Sequence, residues 1–474
     1  MYRVAIIGGG ISGLAVAAAI ERRGAADGID LRTLVIEKDQ RLGGKLRSIT
    51  EDGYLCEWGP NGFLDSKPGT LDLCRQVGVA DRLLRSNDHA RRRFIYAAGE
   101  LHQLPEGALS FFASPLISWP GKLRLAVELL IPARCDGADE TLADFARRRL
   151  GAEALEKLIG PMVSGVFAGD PETMSLQSAF PRIHQLEQEH GGLIRALFLL
   201  HKKRRAERQA GRAVSGPSGP GGKLTSFAHG VEEMIPAVAS CLQGEIRCGA
   251  GAIAVKKQGE GFSVELEDGA VIETEAVVSA CPAYAAGALT AALDKEMSLL
   301  LGRISYSPLW VVCFGYQRGK VPHDLNGFGF LAAKGARLSL LGTLWDSSIF
   351  PHRAPEGHIL LRSMVGGATW PEVTSLAAEE VEQKVKMDLK AVMGISEEPD
   401  FVRSYPHPRA IPQYLTGHAR RLAALAERAA LHPGFFFTGN AFSGVGINDC
   451  VGAANATAAR VVDFLSRREA SQPA

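Results

Sequence analysis

The chain has 474 residues, of which 46% are hydrophobic and 22% are charged, and it contains 53 glycines. That length exceeds what one hydrophobic core usually serves, so we expect a globular enzyme of two or three domains. Lys and Arg total 53 against 52 Asp and Glu, a balance that argues against a nucleic-acid-binding protein. The eight cysteines form no C-x-x-C pair and have no histidines at metal-ligand spacing, so reduced thiols and no metal site are predicted.

The chain begins with a strand, a turn and a helix. Tyr2–Ile7 is a short apolar run that leads directly into glycines, a pattern typical of a parallel strand covered on both faces. A helix over residues 11–23 and a second strand over Leu31–Glu37 complete a βα unit with a partner strand. Because the first strand starts at residue 2, we expect no signal peptide.

Helical and strand patterns alternate along the rest of the chain. Further helices are predicted over residues 71–84, 142–158, 232–242 and 375–393, and further strands over residues 309–316, 338–344 and 359–365. Residues 262–280 predict a hairpin that turns at Asp268-Gly269. The basic and then Gly/Pro/Ser-rich stretch 202–223 predicts a surface loop. The C-terminal part predicts a strand over 435–438, a glycine-rich turn and an alanine-rich helix that reaches residue 465.

The two longest uncharged stretches, 276–293 and 429–448, are interrupted by Pro282 in one and by Pro433 and several glycines in the other. Neither is the run of roughly 20 apolar residues that spans a bilayer. We therefore expect a cytoplasmic protein that is soluble or attached to a membrane surface.

A glycine motif marks a dinucleotide site at the end of the first strand. Gly8–Gly13 (GGGISG) fits G-x-G-x-x-G, in which Gly8 allows the tight turn, Gly10 the approach of a pyrophosphate, and Gly13 close helix–strand packing. The pyrophosphate would lie at the helix N-terminus, where free N–H groups favour anions. Glu37, at the end of the second strand, is placed to bind ribose hydroxyls, and its charge disfavours the 2′-phosphate of NADP. A tight turn that binds nothing is the alternative interpretation.

The next motif, Arg41-Leu42-Gly43-Gly44, is a second glycine turn with a cation in reach of the same phosphates. An R-x-G-G turn after an acidic strand end resembles the flavin-containing amine oxidase superfamily. Near the C-terminus, the segment Gly439–Cys450 (GNAFSGVGINDC) closely resembles the last FAD-binding motif of the oxygen-dependent protoporphyrinogen oxidase family. Its small-residue helix could direct its N-terminal dipole at a flavin carbonyl. An ordinary glycine turn is the alternative here.

Six further motifs resemble the same family, in the same order along nearly the whole chain. They are Glu57–Phe63 (EWGPNGF), Arg92–Tyr96 (RRFIY), Gly165–Asp170 (GVFAGD), Gly327–Leu331 (GFGFL), Met364–Gly367 (MVGG) and Ile411–Tyr414 (IPQY). The resemblance implies an α/β fold: a Rossmann-type FAD-binding domain, an inserted α+β substrate domain and a helical membrane-binding domain. The FAD-binding domain would comprise residues 1–85, 216–290 and 406–474, the helical domain residues 86–215, and the substrate domain residues 291–405.

The resemblance also implies which residues hold FAD non-covalently. Gly59 to Gly62 would lie along the flavin, and Ala252 would lie beside the adenine, where the family usually has a valine. The expected cofactor-binding residues are Gly8, Gly9, Gly10, Ile11, Ser12, Gly13, Glu37, Lys38, Arg41, Gly43, Gly44, Lys45, Gly59, Pro60, Asn61, Gly62, Ala252, Gly439, Asn440, Val445, Gly446 and Ile447.

The implied substrate is a porphyrinogen, from which FAD would remove six electrons in three two-electron turns, with positioning supplying much of the catalysis. Arg93 matches the arginine that pairs with a propionate, as its planar guanidinium suits. Leu331, Leu344 and Met364 match the apolar residues around the macrocycle, and Gly165 would turn its carbonyl toward the reacting edge. The expected substrate-binding residues are therefore Arg93, Gly165, Phe328, Leu331, Leu344 and Met364. No acid–base residue is nominated. Two alternatives remain open: Arg93 could belong to a solvated basic turn, and the apolar side chains could be ordinary core residues.

The expected reaction is the oxidation of protoporphyrinogen IX to protoporphyrin IX in haem biosynthesis, with oxygen or a quinone as the final acceptor. Oxidation of coproporphyrinogen III to coproporphyrin III is the first alternative, and Arg362, where a shorter residue is expected, keeps it open. An amine oxidase, a carotenoid desaturase and a flavin-binding protein without turnover are the others. The late cysteine Cys450 suits a buried thiol better than a flavin linkage.

Membrane contact is the last expectation. Residues 101–133 are apolar and broken by prolines, and Leu193–Leu200 runs into the basic segment His201–Arg205. An apolar surface beside cations suits the surface of an anionic membrane, here the inner face of the cell membrane. Packing between domains is the alternative, and a homodimer is left open.

Overall fold

The computed structural model describes residues 2–29, 31–209 and 222–471. Its strands are β1 (Tyr2–Ile7), β2 (Thr33–Glu37), β3 (Ser48–Glu51), β4 (Tyr54–Glu57), β5 (Phe63–Leu64), β6 (Leu83–Arg85), β7 (Arg93–Ala97), β8 (Glu100–Gln103), β9 (Leu224–Phe227), β10 (Glu245–Cys248), β11 (Ala252–Gln258), β12 (Gly261–Leu266), β13 (Val271–Ser279), β14 (Tyr306–Gln317), β15 (Gly329–Ala332), β16 (Leu340–Leu344), β17 (His358–Gly366), β18 (Phe401–Pro412) and β19 (Phe435–Phe437).

Its α-helices are α1 (Ile11–Asp27), α2 (Pro68–Gln76), α3 (Ala108–Ala113), α4 (Trp119–Ala126), α5 (Leu142–Arg149), α6 (Ala152–Ala154), α7 (Gly160–Phe167), α8 (Leu176–Ala179), α9 (Pro181–His190), α10 (Leu193–Gln209), α11 (Met234–Ser240), α12 (Ala283–Thr290), α13 (Lys295–Gly302), α14 (Asp346–Ile349), α15 (Ala378–Met393), α16 (His418–Ala430) and α17 (Ile447–Ser471). The fold is therefore mixed α/β.

The first sheet is built on the predicted βα unit. Its order is β10-β2-β1-β13-β12-β11, and β19 pairs with β13. The pairs among β10, β2, β1, β13 and β19 are parallel, whereas β12 pairs antiparallel with both β13 and β11. Both faces are covered, as the continuous apolar run of β1 predicts: α1, α11 and α17 pack on one, and α12, α13 and α16 on the other. The strand at residue 2, the helix after it and the hairpin at 262–280 are confirmed.

The second sheet has the order β18-β14-β17-β16-β15-β7-β8 and is antiparallel except between β15 and β7. Helix α15 packs on one face of it. The strands predicted over 309–316, 338–344 and 359–365 are all members of this sheet. Strands β7 and β8 lie in the range predicted as helical, and they pair with the sheet of residues 306–412. Strand β18 crosses the predicted boundary at residue 405.

Two helix predictions are wrong at particular glycines. The pattern over 71–84 predicts one helix, but α2 ends at Gln76 because Gly78 has a φ of +73°, and Leu83–Arg85 joins β9 instead. The helix predicted over 142–158 is interrupted at Gly151, whose φ is +95°. Within the predicted loop 202–223, α10 continues to Gln209, and residues 210–221 lie outside the described part of the chain.

Buried charges tie the helices between α3 and α10 together. The Arg149 guanidinium donates to Glu128 over 2.8 Å through Nε and to Glu187 over 2.9 Å through Nη1, and all three side chains are almost fully buried. Glu128 also accepts the backbone N–H groups of Leu193 and Ile194 in the first turn of α10. This carboxylate therefore caps α10 and joins it to α5. Within the described ranges, no helix combines the length and apolarity needed to cross a bilayer.

Candidate cofactor and substrate site

The glycine turn between β1 and α1 is as tight as its sequence predicts. A Cβ on Gly13 would lie 1.8 Å from the Gly8 carbonyl oxygen, so only glycine allows this approach of helix and strand. Gly8 has a φ of +112°. The buried Glu37 carboxylate accepts the Gly9 N–H over 2.7 Å and the Asp39 N–H over 3.0 Å. The acidic residue and the turn that sequence analysis paired are thus in contact.

The second glycine turn packs against the first. Gly43 donates its N–H to the Gly9 carbonyl over 2.9 Å and pairs with Gly10 as an isolated bridge. Arg41 lies beneath the turn, where it donates to the carbonyls of Leu42 and Gly44 and forms an ion pair with Glu232. Arg41 thereby holds the turn itself, and its expected contact with the phosphates stays a prediction.

The two predicted cofactor lysines, Lys45 and Lys38, lie in different environments. Lys45 donates to the backbone carbonyls of Arg409 and Ala410, at the end of β18, and burial lowers its pKa to about 8. Lys38 is exposed and pairs with Asp39 over 2.7 Å. Lys45 therefore links the second glycine turn to the second sheet, whereas Lys38 lies on the surface.

Two distant segments complete the lining of the first sheet's edge. The backbone N–H of Ala250 donates to the carbonyl of Glu37, the last residue of β2, over 3.2 Å. Ala252 follows Ala250 by two residues and therefore lies near this end of β2. Gly439 has a φ of +114°, and a Cβ on it would lie 3.7 Å from Ser12 Oγ at the start of α1. The expected adenine-side residue thus lies near the end of β2, and the C-terminal motif lies against the start of α1.

Tyr414 holds the loop that leads into α17. Its buried hydroxyl donates to the Asn440 carbonyl over 2.5 Å and accepts the Gly444 N–H over 2.8 Å. Val445 and Gly446 follow directly, and α17 begins at Ile447. Cys450 lies in its first turn, where burial raises the thiol pKa to about 11, as expected of a packed thiol.

These residues fit a dinucleotide. Helix α1 has Gly10 at its N-cap, no side chain caps it, and no acidic residue occupies its first turn, so the helix end is available to a pyrophosphate. A Cβ on Gly10 would have no atom closer than 3.9 Å, so its outer side is open. Three buried oxygens in or directly beside the predicted cofactor motifs have no hydrogen-bond partner: Asn61 Oδ1, Thr438 Oγ1 and Asn448 Oδ1. Unsatisfied buried acceptors of this kind require a partner, and a bound cofactor could supply one.

The predicted substrate residues share one face of the second sheet. Strand register aligns Arg93 with Gly329 and Leu344 in one row, and Leu331 with Gly342 and Met364 in the next. Successive rows of side chains on one face are two residues apart, so Arg93, Leu331, Leu344 and Met364 lie on the same side.

Gly165 and Phe328 border this face. A Cβ on Gly165 would lie 3.0 Å from both Leu331 Cδ atoms, so α7 packs directly over the sheet. Gly165 is exposed and lies in the last turn of α7, where carbonyls have no intrahelical partner. The Arg93 guanidinium lies 5.3 Å from the centre of the Phe328 ring, and among the described residues no carboxylate pairs with it. Arg93 is therefore a cation available to a ligand.

Arg362 lies in the same row as Leu344, but it is not available. Its Nε donates to Asp346 Oδ2 over 2.9 Å and its Nη1 to the Gly59 carbonyl over 2.6 Å. The side chain is 3% exposed. Arg362 thereby joins the Gly59 end of the predicted flavin segment Gly59–Gly62, which includes Pro60, to the face of the second sheet that carries the predicted substrate residues (the substrate face).

Sequence reasoning missed four residues that organise the site: Glu57, Asp346, Arg353 and His407. Glu57 and Arg353 form an ion pair of 2.8 Å with no solvent exposure. Glu57 lies in the motif Glu57–Phe63 that sequence analysis identified. A charged residue beside residues expected to be buried could have indicated a buried ion pair there. Asp346, Arg353 and His407 carried none, because their contacts with Asn61, Glu57 and Trp58 join segments that are distant in the chain.

The chain matches the model of the flavin-containing amine oxidoreductase family over residues 11–462. It is 31% identical to the coproporphyrinogen III oxidase of Bacillus subtilis (strain 168) over 472 residues, with 98% of each chain covered. It is 32% identical to the chloroplastic protoporphyrinogen oxidase 1 of Spinacia oleracea over 479 residues, covering 98% of this chain and 84% of that one. A crystal structure of a protein from Exiguobacterium sp. 255-15 superposes with a TM-score of 0.82 at 28% identity, covering 97% and 98% of the two chains.

Proposed function

This chain belongs to the protoporphyrinogen oxidase family of the flavin-containing amine oxidoreductases, and from that membership we propose that it oxidises protoporphyrinogen IX to protoporphyrin IX. The chain is an FAD-dependent oxidoreductase. When bound, FAD accepts two electrons in each turn, so three turns remove the six electrons that the reaction requires. We propose oxygen as the final acceptor, with a quinone as the alternative.

One observation carries the proposal. Arg93, Leu331, Leu344 and Met364 come from four strands and share one sheet face, which Arg362 joins to the Gly59–Gly62 segment. The apolar side chains would hold the macrocycle and exclude water. Arg93 would bind a propionate at the rim through charge-assisted hydrogen bonds. A substrate held between these residues is oriented without any side chain transferring a proton, and positioning supplies much of the catalysis.

Coproporphyrinogen III is the second candidate substrate, since the relative from Bacillus subtilis is named for it. That substrate carries four propionates instead of two, and extra carboxylates need extra cations. Arg362 cannot serve one of them while it is bound to Asp346 and the Gly59 carbonyl. Arg362 therefore supplies no extra cation, which supports protoporphyrinogen as the first candidate, and the exposed Arg91 and Arg92 beside Arg93 are the cations left for a further carboxylate.

The test is anaerobic mixing of the FAD-loaded enzyme with each porphyrinogen while the oxidised flavin band is followed. We expect faster bleaching with protoporphyrinogen IX. Faster bleaching with coproporphyrinogen III would assign the second substrate, and no bleaching with either would overturn the proposal. Oxygen consumption in the steady state then separates oxygen from a quinone as acceptor.

We further propose that residues 86–215 contribute a helical unit that attaches the protein to a membrane, while separated segments form the FAD-binding domain and residues 291–405 the core of the substrate domain. Large apolar side chains are exposed on the helical unit: Leu109, Phe112, Trp119, Leu123, Leu130, Leu197 and Phe198. Large apolar side chains exposed in such number on one part of the chain are typical of an interaction site, which supports the proposal.

Vesicle flotation tests this attachment. Leu123→Asp should reduce the fraction of protein that floats with anionic vesicles, because a charge there opposes insertion. Met387→Asp, at a similarly exposed apolar residue on α15, is the matched control and should float like the unchanged protein. Equal flotation of all three proteins would contradict the role of this surface.

A further inference from the structure

The segment that leads into Gly59–Gly62 has its carbonyls bound by side chains of the second sheet. Arg362 Nη1 lies 2.6 Å from the Gly59 oxygen and 3.4 Å from the Glu57 oxygen. Between them, His407 Nε2 donates to the Trp58 carbonyl over 2.9 Å. Three consecutive carbonyls of one segment are thus satisfied by two side chains from strands β17 and β18.

Asp346 extends the same contact to Asn61. Its Oδ2 accepts from Arg362 Nε over 2.9 Å, and its Oδ1 accepts from Asn61 Nδ2 over 3.0 Å. All three side chains are buried. The Arg362–Asp346 pair therefore holds both Gly59 and Asn61, with Pro60 between them.

The pair also lies in the substrate face. Arg362 is opposite Leu344 on β16 and Cys313 on β14, and Met364 is the next residue on the same side of β17. A guanidinium is rigid and planar, so its position between Asp346 and Gly59 sets the distance between segment and strand more narrowly than an ammonium would.

Burial of two charges is expensive, and well-packed apolar residues of similar volume are often as stable as a buried ion pair. Stability alone therefore gives little reason for a charged pair here. The geometry that the pair imposes on Gly59 and Asn61 gives a more specific one.

Resting on the proposed function, we propose that Arg362, with Asp346, is a positioning residue that holds the Gly59–Asn61 segment at a set distance from the residues that bind the substrate. The Gly59–Asn61 segment lies on one side of Arg362, and Leu344 and Met364 are the neighbours of Arg362 on the sheet. Displacement of a reacting group by about 1 Å can slow a reaction by orders of magnitude. Arg362 would thus act on the rate of flavin reduction rather than on substrate affinity.

The test removes both charges together, in Arg362→Met/Asp346→Leu, so that no unpaired charge is left in the interior. FAD content, the visible circular dichroism of the bound flavin and the rate of its anaerobic reduction by protoporphyrinogen IX are measured. We expect a changed dichroism spectrum and a reduction rate constant lower by about tenfold or more, with an apparent substrate affinity within about threefold. Loss of FAD from the folded double variant would also support the proposal.

The matched control is Arg149→Met/Glu128→Leu, which removes an equally buried ion pair from the helices between α3 and α10 and leaves Glu187 its ion pair with Arg148. It should keep the dichroism spectrum and the reduction rate of the unchanged enzyme. Arg362→Lys keeps the charge but loses the planar guanidinium that binds two partners at once. It should also change the dichroism spectrum and lower the reduction rate constant, but by less than the double variant does.

An unchanged dichroism spectrum and rate in the FAD-loaded double variant would overturn the proposal, as would equal effects in the control. The dichroism needs no substrate, so it separates two failures. If no porphyrinogen reduces the unchanged enzyme but the double variant alone alters the spectrum, the proposed function falls and the positioning role of Arg362 stands.

Discussion

At the scale of the residue, Gly13 leaves less room for a side chain than any other glycine of the described residues. A Cβ at this position would lie 1.8 Å from the Gly8 carbonyl oxygen, so even Gly13→Ala must push α1 away from β1. That movement displaces the helix N-terminus on which a pyrophosphate depends. We expect the purified variant to contain little or no FAD, measured by the ratio of flavin to protein absorbance, and Gly13→Val to contain none.

Gly452 supplies the control for this substitution. It lies in α17, where a Cβ would meet no atom within 4 Å. Gly452→Ala should therefore retain its full FAD content and gain about 0.5–1 kcal/mol in the free energy of unfolding, since alanine favours a helix. Full flavin in Gly13→Ala would show that the turn does not carry the cofactor.

Arg93 offers a cation to the substrate face without a carboxylate partner among the described residues. Arg93→Ala should raise the apparent KM for protoporphyrinogen by about tenfold or more and lower kcat less, because it removes binding at the rim rather than at the reacting carbon. Arg91→Ala, at an exposed neighbour, is the control. An unchanged KM in Arg93→Ala would remove this residue from the site.

At the scale of the element, the loop before α17 depends on one hydroxyl. Tyr414→Phe leaves the Asn440 carbonyl and the Gly444 N–H without their partner, at a cost of about 1–3 kcal/mol. Because this loop lies against the start of α1, FAD affinity should fall by about tenfold in a titration of the apoprotein. Tyr316→Phe, a buried tyrosine of the second sheet, is the control. Equal affinities in both variants would contradict this role for Tyr414.

Elements with a strong local pattern were predictable. The apolar run of β1, the hairpin of β12 and β13 and the long helix α17 all agree with their sequence patterns. Elements whose partners are distant were not. Leu83–Arg85 carries helical spacing but pairs with β9, because Gly78 ends α2 before it. Periodicity records which faces are apolar, whereas pairing with a remote strand can override it.

At the scale of the whole molecule, two buried histidines make the fold sensitive to acid. Burial lowers the pKa of His407 and of His418 from 6.5 to about 4, so both are neutral in the folded state at neutral pH. Between about pH 6.5 and pH 4 the unfolded chain binds protons that the folded chain does not. The free energy of unfolding should therefore fall with decreasing pH, by about 1.4 kcal/mol per pH unit for each histidine.

His418→Phe isolates one of these contributions, since a phenyl ring can keep the stacking on Tyr414, whose ring centre is 4.3 Å away. Urea unfolding at several pH values in this range should give a slope lower by about 1.4 kcal/mol per pH unit. His89→Gln is the control, because that side chain is exposed and meets water in both states. A slope unchanged by His418→Phe would contradict the assignment.

The sequence by itself determined the βα unit, the two glycine turns, the family and most of the residues expected at the site. The βα unit and the glycine turns are local features: a glycine is needed where backbones approach, and an apolar run is needed where a strand is covered on both faces. Only the tertiary structure decided what Arg41 and Arg362 bind. Arg41 lies in a suggestive motif and Arg362 lies just before one, yet Arg41 holds its own turn and Arg362 is bound to Asp346 and the Gly59 carbonyl. A charge in a sequence shows neither its partner nor its burial, and both depend on which distant segments the fold brings together.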